Sequence, residues 1–137
     1  GAASRGGRRG RGRPYPGAPM SAQEITRIGV KPHLSNVVVH GGVAYCAGVT
    51  PAPGSEGIGP QTASVLAQID DLLAAAGSNR SRLLSAHIWL TDIRDRDTMN
   101  EVWNAWVTPG QPPARACVEA KLAAPEWLVE IMVTAAV

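Results

Sequence analysis

The chain has 137 residues, with 13 Lys and Arg, 11 Asp and Glu, and two cysteines. Five of the basic residues, Arg5, Arg8, Arg9, Arg11 and Arg13, precede Met20, leaving 8 basic against 11 acidic residues from there on, a net charge of −3. That balance offers nucleic acid no global attraction, and no apolar run is long enough to span a bilayer.

Residues 1–19 are rich in Gly, Arg and Pro and lack the apolar segment of a signal peptide. With almost nothing to bury, they are expected to be a disordered basic leader. Met20 reads as the natural start, with residues 1–19 derived from expression or mistranslation; the alternative is that Gly6 to Arg13 form an RGG-like RNA-binding arm. The 118 residues from Met20 to Val137 suit one domain. Cys46 and Cys117 have no paired spacing, which fits a reducing cytoplasm.

Glu24 to Ile28 is a short extended segment. Two β-branched runs, Val37 to His40 and Val43 to Ala47, flank Gly41-Gly42, a hairpin signal because both turn positions need positive φ. Gly48 to Gly59 reads as a loop without either phosphate-binding fingerprint. Pro60 then opens a helix that Gly77 closes, with Val65, Leu66, Ile69, Leu72, Leu73 and Ala76 on one buried face. A strand from Leu84 to Thr91 is predicted to send Leu84, Ala86, Ile88 and Leu90 one way and Ser85, His87, Trp89 and Thr91 the other. The tryptophan on that second face predicts a cover there too, from another subunit. Asp95 or Asp97 caps a second helix striped by Met99, Val102, Trp103, Trp106 and Val107.

Pro112 to Leu122 follows, then Leu128 to Val133. In the first of these strands Ala114, Ala116, Val118, Ala120 and Leu122 are predicted to lie under a helix, with Arg115, Cys117, Glu119 and Lys121 opposite. The order β-β-β-α-β-α-β-β combines a hairpin with a β-α-β crossover, so the fold class is α+β: a mixed sheet with two helices on one face.

Arg115 at the strand entrance suits a carboxylate clamp, or else a surface ion pair with a nearby acid. Cys117 is either a nucleophile beside Arg115 or a small packed side chain. Glu130 interrupts an apolar strand, either as a water-positioning acid or as an edge residue open to water. His33, His40 and His87 stand on different elements without carboxylate or thiol at ligand spacing, so no metal site is predicted, and no serine sits in a nucleophile-elbow context.

The pattern P-x-R-x-C-V-x-A-x-L-x-x-P-x-x-x-V-E-I-x-V-x-A, from Pro113 to Ala135, resembles the C-terminal signature of the Rid family, the reactive intermediate deaminases also labelled endoribonuclease L-PSP-like. The likeness extends upstream through Gln61-Thr62, Val65 to Ile69, Trp89 to Asp92 and Met99-Asn100. It implies a chorismate-mutase-like fold assembled as a homotrimer, sheets facing inward and clefts between subunits. It also implies hydrolysis of enamines and imines of amino acids to 2-keto acids and ammonia. In that role Arg115 would clamp the substrate carboxylate, the backbone of Cys117 would help orient it, Glu130 would position the attacking water, and Asn100 would take the place of the family's helix asparagine. Neither metal nor cofactor is implied. Two positions depart from the best-known members: His33 stands where they carry a pocket tyrosine, and Ala47-Gly48-Val49 replaces Ser-Gly-Gln. The expected partner is a small 2-imino acid or related carboxylate, and the altered pocket wall leaves open whether it is 2-aminoacrylate or another. The competing functions are a non-catalytic carboxylate-binding regulatory trimer and an RNA-cleaving or translation-inhibiting protein.

If the last two strands pair antiparallel, Arg115 and Glu130 lie on the order of 15 Å apart along them, too far for one small substrate. A bulge or shear would have to close that gap, or one pocket must draw Arg115 from one chain and Glu130 from its neighbour; the second is the expectation here.

Overall fold

A computed structural model describes residues 24–137, so the expectations for residues 1–19 lie outside the described residues. Strands β1 (Thr26–Val30), β2 (Ser35–His40) and β3 (Val43–Cys46) form an antiparallel meander. Helix α1 (Ile58–Ala75) follows, then β4 (Leu83–Leu90), α2 (Arg96–Trp106), β5 (Ala114–Glu119) and β6 (Val129–Ala136). The predicted order of strands and helices is the observed one.

Local chemistry explains most of these boundaries. Gly41 and Gly42 adopt φ of 59° and 80°, as a tight hairpin between twisted strands requires. Helix α1 begins two residues before Pro60 and ends in a Schellman arrangement, Ser78 N–H to the Leu73 carbonyl and Gly77 N–H to that of Ala74, with Gly77 at φ 78°. Beyond it, the Asp70 carboxylate receives the Arg80 guanidinium at 2.6 and 3.2 Å and the Trp106 indole N–H at 3.1 Å, tying α1 to α2.

The sheet order is β1-β2-β3-β6-β4-β5. Strand β6 lies between β3 and β4, antiparallel to both, and β5 is an edge strand parallel to β4. The β4–α2–β5 unit is thus a crossover between parallel neighbours. Both helices cover one face, where Val65, Leu66, Ile69, Leu73, Met99 and Trp103 pack on Val37, Val39, Ala86, Ile88, Leu90, Ile131 and Val133. The other face carries Tyr45, His87, Trp89, Met132 and Val118, with Tyr45 and Val118 half exposed.

Three expectations need correction. Leu84 does not join the core: a register irregularity between Leu83 and Ser85 buries Leu83 instead and leaves Leu84 46% exposed. The faces of β5 are reversed: Arg115 and Cys117 stand opposite the core residues Ala86 and Ile88 of β4, so they look toward α2, while Ala114, Ala116 and Val118 look to the open face. Period two separates two faces without saying which is covered. Lastly, β5 and β6 do not pair, because β4 stands between them.

Candidate active site

Arg115 is held from α2. Its Nη1 donates to Asn100 Oδ1 at 2.8 Å, and its guanidinium carbon lies 5.4 Å from the centre of the buried Trp103 ring. Helical spacing puts Asn100 and Trp103 on the same side of α2, three residues apart. A flat cation against an aromatic face is stabilised and stiffened. Among the described residues Arg115 forms no ion pair, so the surface-pair alternative is not what holds it. Most of its donors remain directed to solvent at the sheet edge.

Cys117 is two residues further along the same face, half buried against the core. Burial pushes its thiol up, and the nearby charges of Arg115 and Arg96 only partly offset that. At neutral pH the sulfur is a protonated thiol, a poor nucleophile. Its backbone is better placed. Ala120 N–H donates to the Leu90 carbonyl, inward to β4. Amides alternate along a strand, so those of Cys117 and Arg115 point outward from the open edge.

Glu130 is elsewhere. It pairs with Trp89 on the open face of the sheet, beneath the chain leaving β3. The β3–β6 register runs Tyr45 to Thr134, but resumes with Val49 opposite Ile131, so one extra residue bulges out of the β3 side. That bulge lays Gly48 against the carboxylate: a Cβ on Gly48 would overlap Glu130 Oε2. The absence of a side chain at Gly48 is therefore what lets Glu130 occupy its place. Burial raises the Glu130 carboxyl above the ordinary carboxylate range, which makes its anion a stronger base.

The predicted residues thus fall into two groups in one chain. Arg115, Asn100 and Cys117 share the helix-facing side of the β5 edge; Glu130 and Gly48 share the open side near β3. His33 belongs to neither group and is exposed in the β1–β2 turn, which the Lys31 N–H closes on the Leu34 carbonyl. Its neighbour Lys31 instead lines a cavity of about 370 Å³ with Asn36, Gly48, Thr50 and Gln68. Arg115 is opposite Ala86 and Glu130 opposite Trp89, with β4 between. Two strand spacings and three residues of rise set their Cα atoms on the order of 14 Å apart, with side chains on opposite faces.

Sequence reasoning placed Trp103 in a core stripe and missed its second use beneath Arg115; its spacing three residues after Asn100 was the available signal. Gln61 carries part of the family likeness, but the sequence assigns it no role. Buried at 4% exposure, it donates to the carbonyls of Glu126 and Ser55 and accepts the Leu128 N–H, fixing the connection that delivers Glu130.

A six-stranded mixed sheet with two helices on one face and a guanidinium presented at its edge defines a class, and comparison with known proteins gives its family. The family model described as endoribonuclease L-PSP matches residues 24–137. The chain is 43% identical over 113 residues to a RutC family protein of Haemophilus ducreyi, covering 82% of this chain and 97% of that one. It is 42% identical to the RutC family protein YoaB of Escherichia coli, covering 82% and 98%. Among solved structures, a member of the YjgF protein family from Neisseria meningitidis is 46% identical, with a TM-score of 0.82 over 85% of this chain and 97% of that one. The chain belongs to the Rid, or endoribonuclease L-PSP, family. No helix among the described residues is long and apolar enough to cross a membrane.

Proposed function

We propose that the protein hydrolyses imines and enamines of amino acids to 2-keto acids and ammonia. The observation that carries this is the Arg115 guanidinium, fixed by Asn100 and Trp103 with its remaining donors free and two outward amides beside it. Such an arrangement fits a planar carboxylate. A protonated imine is already electrophilic, so holding it by its carboxylate and placing one water against its carbon supply most of the rate. Glu130, with its raised pKa, is the group to deprotonate that water; the C–N bond then breaks and nitrogen leaves as ammonia.

One chain cannot bring Glu130 to a molecule held by Arg115, so the reading includes assembly. A homotrimer in which the open sheet faces meet would cover Tyr45, Trp89, Met132 and Val118 and set the Arg115 edge of one subunit beside Glu130 of the next. Two unpaired cysteines fit a cytoplasmic setting. Separation of the two groups also favours a second reading, a carboxylate-binding trimer that keeps Arg115 as an anchor alone. The family description brings RNA cleavage into view, but a domain of net charge −3 without a basic-aromatic platform argues against it.

The test couples an amino-acid oxidase, as a source of imine, to the protein or to Arg115→Ala. Accelerated release of ammonia by the parent, lost at least a hundredfold in the variant, is expected from removal of a carboxylate clamp. Equal rates would overturn the assignment of Arg115. Carboxylate binding without acceleration on any imine would favour the regulatory reading.

A further inference from the structure

Strand β5 and helix α2 run antiparallel, and their facing residues come in rungs. Arg115 meets Asn100 at one rung, through the 2.8 Å hydrogen bond. Glu119 meets the lead-in to α2 at another, where its Oε1 accepts the Ile93 N–H at 3.1 Å. The rung between them belongs to Cys117, two strand residues beyond Arg115, and to Arg96, one helical turn before Asn100. Two residues of strand advance about 6–7 Å, and four of helix about 6 Å, so the rungs keep step. Arg96 is exposed, and its charge is felt at Cys117 together with that of Arg115.

Among the described residues none of the nearby acids pairs with Arg96, although Asp95 and Asp97 flank it in sequence. Asp92 is held by Arg94 at 2.7 Å, and Glu119 by the Ile93 amide. The position of Arg96 is electrostatically unfavourable for the helix, because a cation in the first turn opposes the macrodipole. Among the described residues no ion pair engages the Arg96 guanidinium, so it is available to an anion lying along β5.

We propose that Arg96 is a specificity-determining residue, a second anion anchor one rung from Arg115, and that the preferred substrates are imines of amino acids carrying a second, side-chain carboxylate. This rests on the deaminase reading of the same site. The rung spacing of about 6–7 Å is comparable to the span between the outer carboxylate oxygens of an extended five-carbon diacid. Hydrolysis is redox-neutral: water adds across C=N, the C–N bond breaks, ammonia leaves, and a 2-oxo dicarboxylate is released.

The experiment compares imines made in situ by oxidases from glutamate and from norvaline, which share a chain length and differ in the distal carboxylate. The parent is expected to favour the dicarboxylic imine, and Arg96→Gln to lower the ratio of kcat/KM values at least tenfold, with Arg96→Lys keeping part of it. An unchanged ratio in Arg96→Gln overturns the proposal. Calorimetric binding of 2-oxoglutarate and 2-oxopentanoate separates this from the deaminase reading. If the parent hydrolyses neither imine, that reading fails, yet tighter dicarboxylate binding that is lost in Arg96→Gln still upholds Arg96. Equal binding of the two ligands overturns it.

Discussion

Glu130 shows how one residue can serve chemistry against the fold. Its carboxyl is raised by burial, so the folded chain holds the proton more tightly than the unfolded chain does. The linked stability is present at low pH, below the unfolded-state value, and is lost as pH rises through the folded-state value. At neutral pH the half-buried anion therefore weakens the protein. Glu130→Gln should raise the melting temperature at pH 7, with the gain shrinking in acid, while hydrolysis falls; a melting temperature unchanged or lowered at pH 7 would contradict this account. In the parent, kcat/KM should fall on the acid side with a midpoint above the ordinary carboxylate range. Gly48→Ala tests the neighbouring contact. A methyl group there collides with Glu130 Oε2, so the carboxylate must shift and activity should drop at least tenfold with little loss of carboxylate binding. For Cys117 the contribution assigned is an amide rather than a sulfur, and Cys117→Ser should keep activity within a few fold.

At the scale of elements, the connections matter as much as the strands. Gln61 lets α1 hold the segment before β6 by two hydrogen bonds from a buried side chain, with a third to the Ser55 carbonyl in the loop before α1. Gln61→Ala would strand the Leu128 N–H and the Glu126 carbonyl and should cost about 1–3 kcal/mol in chemical unfolding. A loss below a few tenths would show that water replaces it. Elements were also what the sequence revealed best. The Gly41-Gly42 pair and the Val65, Leu66, Ile69, Leu73 stripe locate a hairpin and a helix because the signal is local. The faces of β5 were misread because its covered side carries Arg115, Cys117 and Glu119, and small residues point to the open side. A site built on an edge strand inverts the usual hydrophobic code. The extra residue that brings Gly48 over Glu130 left no local mark, since a bulge is defined by the partner strand.

At the scale of the whole molecule, strand order was the missing information. Nothing in Leu128 to Val133 says that this strand enters between β3 and β4, and that placement separates Arg115 from Glu130. The family motif set both residues in one site by resemblance, and the geometry of the single chain sends them to opposite faces. The proposed resolution, a pocket shared between subunits, has a quantitative test. Refolding Arg115→Ala and Glu130→Gln together at equal amounts gives mixed rings in which about a quarter of interfaces hold both native groups. Recovery near that fraction of parental activity is expected, and a mixture as inactive as each variant alone would rule the shared pocket out. Removing residues 1–19 should alter neither the melting temperature nor the recovered activity.

The central position of β6 also bears on how the protein is made. The β1–β2–β3 meander and the β4–β5 pair join into one sheet only through β6. During synthesis β6 follows both of them, so a ribosome-bound chain can complete the meander and the crossover while each still ends in an unpaired edge. Those two edges are open to strands of neighbouring nascent chains until β6 emerges from the exit tunnel. For this fold the interval between translating β4 and releasing β6 is the aggregation-prone one, and shielding by a chaperone would matter most then.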